Sequence, residues 1–182
     1  MNEFEKSLLK YLSPENLRKI QKAKVGVAGA GGLGSNCAAM LVRSGVKQLK
    51  IIDFDLLEHS NLNRQFYFSR QVGRAKVEAL QENLQAINPD AVIEVYARKL
   101  EDGEAAAFFA DCDAVVEAFD RVEYKKLIAE AYMHSGKFLV AASGLGGWGD
   151  SDRLKVHKVR PNFYIVGDLT SGVGPECPPL AP

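Results

Sequence analysis

Two patterns of apolar and polar positions alternate along most of this chain. Short apolar runs are typical of buried strands, and the stretches between them repeat apolar residues at helical spacing. The predicted strands are residues 25–28, 49–52, 91–96, 114–118 and 138–142. The predicted helices are residues 4–11, 14–22, 33–44, 73–87, 101–110 and 122–135. Alternating strands and helices indicate βαβ units and a mostly parallel sheet.

Residues that start and stop helices support several of these boundaries. Ser13 before Pro14 suits an N-cap, and Gly45 and Gly136 each end a predicted helix. Near the end of the chain, residues 154–159 and 163–166 alternate as strands joined by a turn, and we expect them to extend the sheet antiparallel. The predicted fold class is therefore α/β, with a Rossmann-like three-layer α/β/α arrangement.

No internal repeat, low-complexity tract or linker divides the sequence, which predicts a single domain over residues 1–182. We expect residues 1–22 to form N-terminal helices, residues 23–145 to form the α/β core, and residues 146–182 to form the antiparallel extension and a Pro-rich tail. Four prolines crowd the final residues, where neither helix nor central strand can form. We expect this tail to be a covering loop or the truncated edge of a longer protein.

Charge and composition exclude some classes of protein. Lys plus Arg equals Asp plus Glu, 23 of each, so the sequence does not favour a binder of nucleic acid or of anionic membranes. No apolar run approaches the ~20 residues that span a bilayer, and the N-terminus lacks a signal-peptide core, so we expect a cytoplasmic protein. Cys37, Cys112 and Cys177 form no Cys-x-x-Cys pair, which argues against a zinc site or a disulfide framework. Of the three, Cys177 is the best candidate for an exposed thiol.

A glycine-rich turn follows the first predicted strand. Gly29, Gly31 and Gly34 have the Gly-x-Gly-x-x-Gly spacing, with Gly32 between them. Such glycines allow a tight turn, the approach of backbone to phosphate, and close packing of helix on strand. The amides of the next helix then face an anion. A tight turn without a ligand is the alternative interpretation.

Two carboxylates come directly after the second predicted strand. Asp53 suits ribose hydroxyls, because a carboxylate accepts hydrogen bonds from both, but this position does not distinguish NAD from ATP. A helix-capping or ion-paired acid is the alternative for Asp53. Asp55 is either a second site residue or a solvated loop acid.

Polar and cationic residues then follow at positions suited to phosphate chemistry. A phosphoryl group that loses its leaving group needs positive charge and hydrogen-bond donors at its oxygens. Asn61 and Arg64 offer such donors, and Lys76 opens the next predicted helix. The alternatives are a surface ion pair for Arg64 and a solvated helix face for Lys76.

Asp120 lies just past the fourth predicted strand, where it suits a Mg²⁺ ion bound to phosphates. The alternative is an N-cap of the helix that follows, and this does not exclude a metal role. His59, His134 and His157 have no metal-binding spacing and are interpreted as surface or loop residues.

These residues together resemble the ThiF/MoeB/HesA family, the bacterial relatives of ubiquitin-activating enzymes. The matching segments are GAGGLGS (29–35), DFDLLEHSNLNRQ (53–65), VGRAKVEA (72–79) and INP (87–89), followed by Asp120. The resemblance covers roughly residues 24–125. Because the chain is short and lacks the zinc-binding cysteines of many members, it is most similar to short ThiF-like sulfur-carrier adenylyltransferases of thiamine thiazole synthesis.

The resemblance implies ATP-dependent adenylylation of the C-terminal glycine of a small ubiquitin-like, ThiS-like sulfur carrier that ends in Gly-Gly. It places the glycine turn at the phosphates, Asp53 at the ribose, Asn61, Arg64 and Lys76 at the triphosphate, and Asp120 on Mg²⁺. It also implies a homodimer. The carrier's own carboxylate attacks the α-phosphate, so no side chain need act as a covalent nucleophile.

Other functions stay open at this point. The N-terminus lacks the Arg-containing segment that is common in the family, and Arg18 is no clear substitute. The region around Cys177 does not align with a transfer cysteine. An NAD-dependent oxidoreductase and a non-catalytic module that binds nucleotide or carrier are therefore the alternatives.

Overall fold

The computed structural model describes residues 1–101, 103–143 and 150–172. Within these residues, seven strands form one sheet in the order β3-β2-β1-β4-β5-β7-β6. The strands are β1 (Lys24–Ala28), β2 (Gln48–Ile52), β3 (Val92–Tyr96), β4 (Ala114–Glu117), β5 (Phe138–Ser143), β6 (Lys155–Arg160) and β7 (Phe163–Gly167). The helices are α1 (Glu3–Leu8), α2 (Pro14–Lys22), α3 (Gly32–Arg43), α4 (Lys76–Ile87), α5 (Ala105–Phe108) and α6 (Val122–Tyr132). The predicted strand positions are thus confirmed.

Strand pairing is parallel from β3 through β1 to β5, as expected from alternating strands and helices. β7 also pairs parallel with β5, and only β6 runs antiparallel, along the outer side of β7. The antiparallel extension predicted near the end of the chain is therefore confirmed for β6. The apolar strand β7 lies inside the sheet, whereas the cation-rich β6 takes the edge, where charged side chains oppose edge-to-edge association.

Buried side chains form two clusters, one on each face of the sheet, and this confirms the three-layer α/β/α arrangement. One cluster joins β1, β2 and β3 to α3 and α4, with Val27, Leu49 and Leu80 fully buried. The other joins the sheet to α5 and α6, with Phe109 and Ile128 fully buried. Both faces bury apolar surface, which explains why the strands read as nearly continuous apolar runs.

Four predicted helices are longer than those observed, and the first of them ends at Leu8 rather than at residue 11. The stretch predicted as residues 73–87 becomes helical only at Lys76, because Gly73 adopts a φ of +89° and its N–H donates to the carbonyl of Leu57. The stretch predicted as residues 101–110 is helical only over Ala105–Phe108, and the last predicted helix ends at Tyr132. Each error lies at a boundary, where turn geometry competes with apolar periodicity.

The N-terminal helices lie at the amino ends of the strands, away from the glycine turn. Glu5 of α1 is buried and ion-pairs with Lys47, which precedes β2, at 2.8 Å. Leu17 of α2 packs against Gly45, at the same end of the sheet. Arg18 of α2 is exposed at that end, so it does not reach the glycine turn of its own chain. No helix among the described residues is both long and apolar enough to cross a membrane.

Candidate functional site

The glycine turn is closed tightly between the carboxyl ends of β1, β2 and β4. Gly29 has a φ of +105°, and its N–H donates to the carbonyl of Ile52 at 2.8 Å. A Cβ on Gly29 would lie 2.7 Å from the carbonyl oxygen of Ala118, and one on Gly34 would lie 1.9 Å from the oxygen of Gly29. Only glycine fits either position without backbone movement.

Helix α3 begins directly after this turn, at Gly32, and its N-cap is Gly31. No side chain caps the helix, so the N–H groups of the first turn are left for another acceptor. The partial positive charge of the helix start adds to these donors. The turn therefore has the geometry of an anion site, as its spacing predicted.

Asp53 lies beside the turn and is buried. Its Oδ2 accepts from the N–H of Ala30 at 2.6 Å, and its Oδ1 accepts from the N–H of Asp55 at 2.8 Å. Burial raises the pKa of Asp53, while these two hydrogen bonds oppose the rise. The carboxylate thus ties the turn to the following loop, and each oxygen keeps one lone pair for a ligand. Tyr67 also holds Ala30, since its hydroxyl donates to the carbonyl of that residue at 2.7 Å.

Lys76 is not on a solvated helix face, as the alternative interpretation held. Its side chain is buried, and Nζ donates to Oδ2 of Asp55 at 2.7 Å. Its N–H also donates to the carbonyl of Asp55 at 3.0 Å. Asp55 is therefore no free loop acid. Asp55, two residues after Asp53, holds the Lys76 ammonium at the edge of the candidate site.

Arg64 lies across the glycine turn. A Cβ on Gly32 would be 3.5 Å from its Cγ and 3.6 Å from its Nε. Its Nη1 donates to Oδ1 of Asn63 at 2.8 Å, and among the described residues it forms no ion pair, contrary to the alternative interpretation. Asn61 turns its Oδ1 toward the N–H of Glu58 at 3.0 Å, which closes the short 3₁₀ turn before Arg64.

Asp120 is exposed just beyond β4, two residues from Ala118, which contacts Gly29. It is not the N-cap of α6, which is Arg121 and has no side-chain cap. One free carboxylate near a phosphate site is a donor set that Mg²⁺ uses, since this ion keeps waters and phosphate oxygens as its other ligands. No cluster of three or more His, Cys, Asp or Glu suited to a metal occurs within residues 1–101, 103–143 and 150–172.

The contacts thus bring the glycine turn, Asp53, Asp55, Arg64 and Lys76 together, and Asp120 lies on the neighbouring strand end. His59 is exposed and begins the 3₁₀ turn before Arg64, whereas His157 contacts the carbonyl of Gly167 at the sheet edge. Burial raises the pKa of Cys37, and it raises that of Cys112 to about 11, so neither thiol is activated. Cys177 and the Pro-rich tail lie outside the described residues.

Sequence reasoning missed the side chains that support the site. Gln65 is buried beside Gly31, and its Oε1 has no hydrogen-bond partner among the described residues. Ser35 and Asn36 of α3 bind the loop that carries Arg64. Their small, polar character at the start of an otherwise apolar helix was the available signal.

An aromatic cluster was also missed. Phe54 lies near Tyr124, with ring centroids 5.9 Å apart, and carries Lys99 and Arg121 over its ring at 5.2 and 5.5 Å. A cavity of about 530 Å³ adjoins it, lined by Lys99, Leu100, Glu101, Glu123, Tyr124 and Leu127. It opens near the carboxyl ends of the strands, where open α/β sheets bind ligands. A larger open groove of about 700 Å³ lies along α4 and contains none of the predicted site residues.

The family model for the ThiF family matches residues 5–166. This chain belongs to the ThiF family. The family membership that the motifs predicted is thereby confirmed.

Named ThiF-family relatives agree with this assignment. An adenylyltransferase and sulfurtransferase, UBA4, from Candida glabrata is 38% identical over 170 residues, which cover 86% of this chain and 39% of the relative. A sulfur carrier protein adenylyltransferase from Thermus thermophilus is 36% identical over 134 residues, which cover 73% of this chain and 49% of the relative. The chain therefore spans between a third and a half of the length of these curated relatives.

Solved structures match the fold closely. The tRNA N6-threonylcarbamoyladenosine dehydratase TcdA from E. coli, in complex with ATP, superposes with a TM-score of 0.84 at 23% identity. The match covers 95% of this chain and 84% of that one. At this identity the likeness shows the fold, and it confirms the Rossmann-like arrangement of this ThiF-family chain.

Proposed function

We propose that this ThiF-family chain adenylylates the C-terminal glycine of a small ubiquitin-like sulfur carrier, with ATP as the second substrate. The observation that carries the proposal is the position of Arg64, which lies across the glycine turn beside an uncapped helix start. Lys76, a buried ammonium held by Asp55, adds a second cation at the same strand ends. Relatives named adenylyltransferases support the same chemistry.

In the proposed reaction, a carboxylate oxygen of the carrier attacks the α-phosphorus of ATP. A new O–P bond forms, the bond from the α-phosphorus to the bridging oxygen breaks, and pyrophosphate leaves with the electron pair. The amides of α3 and the guanidinium of Arg64 bind phosphate oxygens, and the Lys76 ammonium offsets charge as the two anions meet. No side chain forms a covalent bond in this step.

The proposal assigns each part of the nucleotide to described residues. Asp53 binds the ribose through its remaining lone pairs, and Asn61 adds an amide at the triphosphate. The cavity beside Phe54 takes the adenine, because Tyr124, Leu100 and Leu127 of its lining suit the faces of a base. Asp120 holds Mg²⁺, which when bound draws charge from the phosphate oxygens.

The finer parts of the proposal concern the setting. We propose a ThiS-like carrier that ends in Gly-Gly, a role in thiamine thiazole synthesis, and a cytoplasmic location. We also propose a homodimer. Leu33 and Met40 are 50% and 59% exposed, and their spacing of seven residues puts them on one face of α3. Apolar side chains exposed in this way suit contact with a second copy.

ATP–pyrophosphate exchange, measured with Mg²⁺ and with candidate carriers ending in Gly-Gly, tests the function. We expect Arg64→Ala to lower turnover about 100-fold or more while ATP affinity falls much less, because the cation acts mainly on charge that develops in the transition state. Arg18→Ala is the matched control, since that exposed arginine lies at the other end of the sheet, and it should leave exchange unchanged.

The outcomes separate the proposal from its alternatives. Absence of exchange with every carrier contradicts the proposed enzyme. Protection against thermal unfolding by NAD, but not by ATP with Mg²⁺, identifies an oxidoreductase instead. Carrier binding without exchange, unaltered by Arg64→Ala, identifies a non-catalytic binding module.

A further inference from the structure

Two adjacent side chains of α3 bind the loop that carries Arg64. The Nδ2 of Asn36 donates to the carbonyl of Gly32 at 2.6 Å and to the carbonyl of Arg64 at 2.8 Å. The Oγ of Ser35 donates to the carbonyl of Gly31 at 2.6 Å and accepts from the N–H of Phe66 at 3.0 Å. The main chain on both sides of residue 65 is therefore attached to the first turn of α3 and to its N-cap.

Four contacts hold Arg64. Asn36 donates to its carbonyl, its Nη1 donates to the Oδ1 of Asn63 at 2.8 Å and to the carbonyl of Ser60 at 3.4 Å, and its aliphatic stem lies over Gly32. The amides of the anion site and the backbone that carries Arg64 are thus both attached to the start of α3. A cation held in this way loses little conformational freedom when substrate binds, and small displacements of such groups are costly to rate.

Asn36 has little else to do in the fold. Its side chain is exposed, and both of its hydrogen bonds go to carbonyl groups that border the glycine turn. Ser35, in contrast, is fully buried, so replacing it would also disturb packing. Replacing Asn36 should therefore change the position of Arg64 without lowering the stability of the chain.

We propose that Asn36 is a positioning residue for Arg64, acting together with Ser35 to hold the guanidinium over the glycine turn. This inference rests on the proposed adenylylation only for its effect on turnover. The claim that Arg64 changes position without Asn36 does not depend on any reaction.

The experiment is a double-mutant cycle on the full chain with Asn36→Ala, Arg64→Ala and the double variant, read by ATP–pyrophosphate exchange. We expect Asn36→Ala to lower turnover about 10-fold with KM for ATP changed less than about 2-fold, and to have no further effect when Arg64 is already alanine. Asn16→Ala is the matched control, because Asn16 is an exposed asparagine in the first turn of α2, and exchange should be unchanged. Equal losses from Asn36→Ala in both backgrounds would overturn the inference.

A second measurement needs no activity. In ¹⁵N NMR spectra, the Nε–H resonance of Arg64 is assigned by its loss in Arg64→Ala. We expect it to shift in Asn36→Ala, because the backbone of Arg64 loses its bond to α3, and to stay in place in Asn16→Ala. An unmoved resonance in Asn36→Ala refutes the positioning role. If the wild-type chain shows no exchange with any carrier, adenylylation is refuted, and the resonance still decides the role of Asn36.

Discussion

Replacing Gly34 with alanine tests the closure of the glycine turn most directly. Gly34 lies inside α3, where alanine is favoured over glycine by roughly 1 kcal/mol in helix propensity. From propensity alone, the substitution should stabilise the protein. The tertiary structure predicts the opposite sign.

The expected cost comes from the position of the new methyl group. It would lie 1.9 Å from the oxygen of Gly29, 2.8 Å from its carbonyl carbon and 3.4 Å from the Cβ of Ala118. The nearest atoms are backbone, which cannot rotate away, so α3 must shift from the turn by about 1 Å. Overpacking of this kind costs about 1–3 kcal/mol and occasionally more, and after the gain in propensity we expect a net loss of about 2 kcal/mol.

Gly32→Ala is the matched control, two residues away in the same helix. The atoms nearest to its methyl group would belong to the side chain of Arg64, at 3.5 Å and beyond, which is ordinary contact. Urea and thermal unfolding of both variants measure the difference. We expect Gly34→Ala to lower Tm by about 4–8 °C, at about 2–4 °C per kcal/mol for a chain of this size, and Gly32→Ala to lower it little or not at all. Equal stability of the two variants would refute the argument.

Two further predictions concern charged pairs. Lys76→Met should lower the rate of exchange about 100-fold or more. Asp55→Asn should lower the rate less, because this variant keeps the Lys76 ammonium and removes only the carboxylate that orients it at 2.7 Å. Kinetics of both variants, with circular dichroism as a folding check, test this order, and a larger effect of Asp55→Asn would contradict it. Lys24 and Lys50 hold the pKa of Asp111 down to about 2, so the carboxylate stabilises the fold fully above pH ~4 and loses this effect as pH falls toward 2. Asp111→Asn should remove this pH-dependent stabilisation, which is no more than about 1 kcal/mol for a half-exposed carboxylate. Urea unfolding at pH 3 and pH 7 should therefore show a smaller difference in stability for the variant than for the wild type.

The sequence alone indicated most of the fold. Strand positions, the parallel core and the glycine turn depend on residues within a few positions of one another, so apolar periodicity and glycine spacing are sufficient to predict them. The ends of helices were less predictable. At Gly73, a turn and its bond to Leu57 override a helical pattern that continues through the sequence.

The sequence also named candidate site residues, but not how they are held. It offered Lys76 both as a phosphate cation and as a solvated surface residue, and Asp55 both as a site acid and as a loop acid. The structure decides both together, because the two side chains pair across a separation of 21 positions. It likewise removes the N-cap interpretation of Asp120, since Arg121 takes that position.

What the sequence determined by itself is the local pattern: which segments become strands, where the glycine turn lies, and which polar residues follow each strand. What only the tertiary structure decided is how distant segments support one another. Asn36 and Arg64 are 28 positions apart, and the N-terminal helices lie at the opposite end of the sheet from the glycine turn. Such contacts depend on the order in which strands assemble and on the shape of each loop, and these are fixed by packing across the whole sheet rather than by neighbours in the chain.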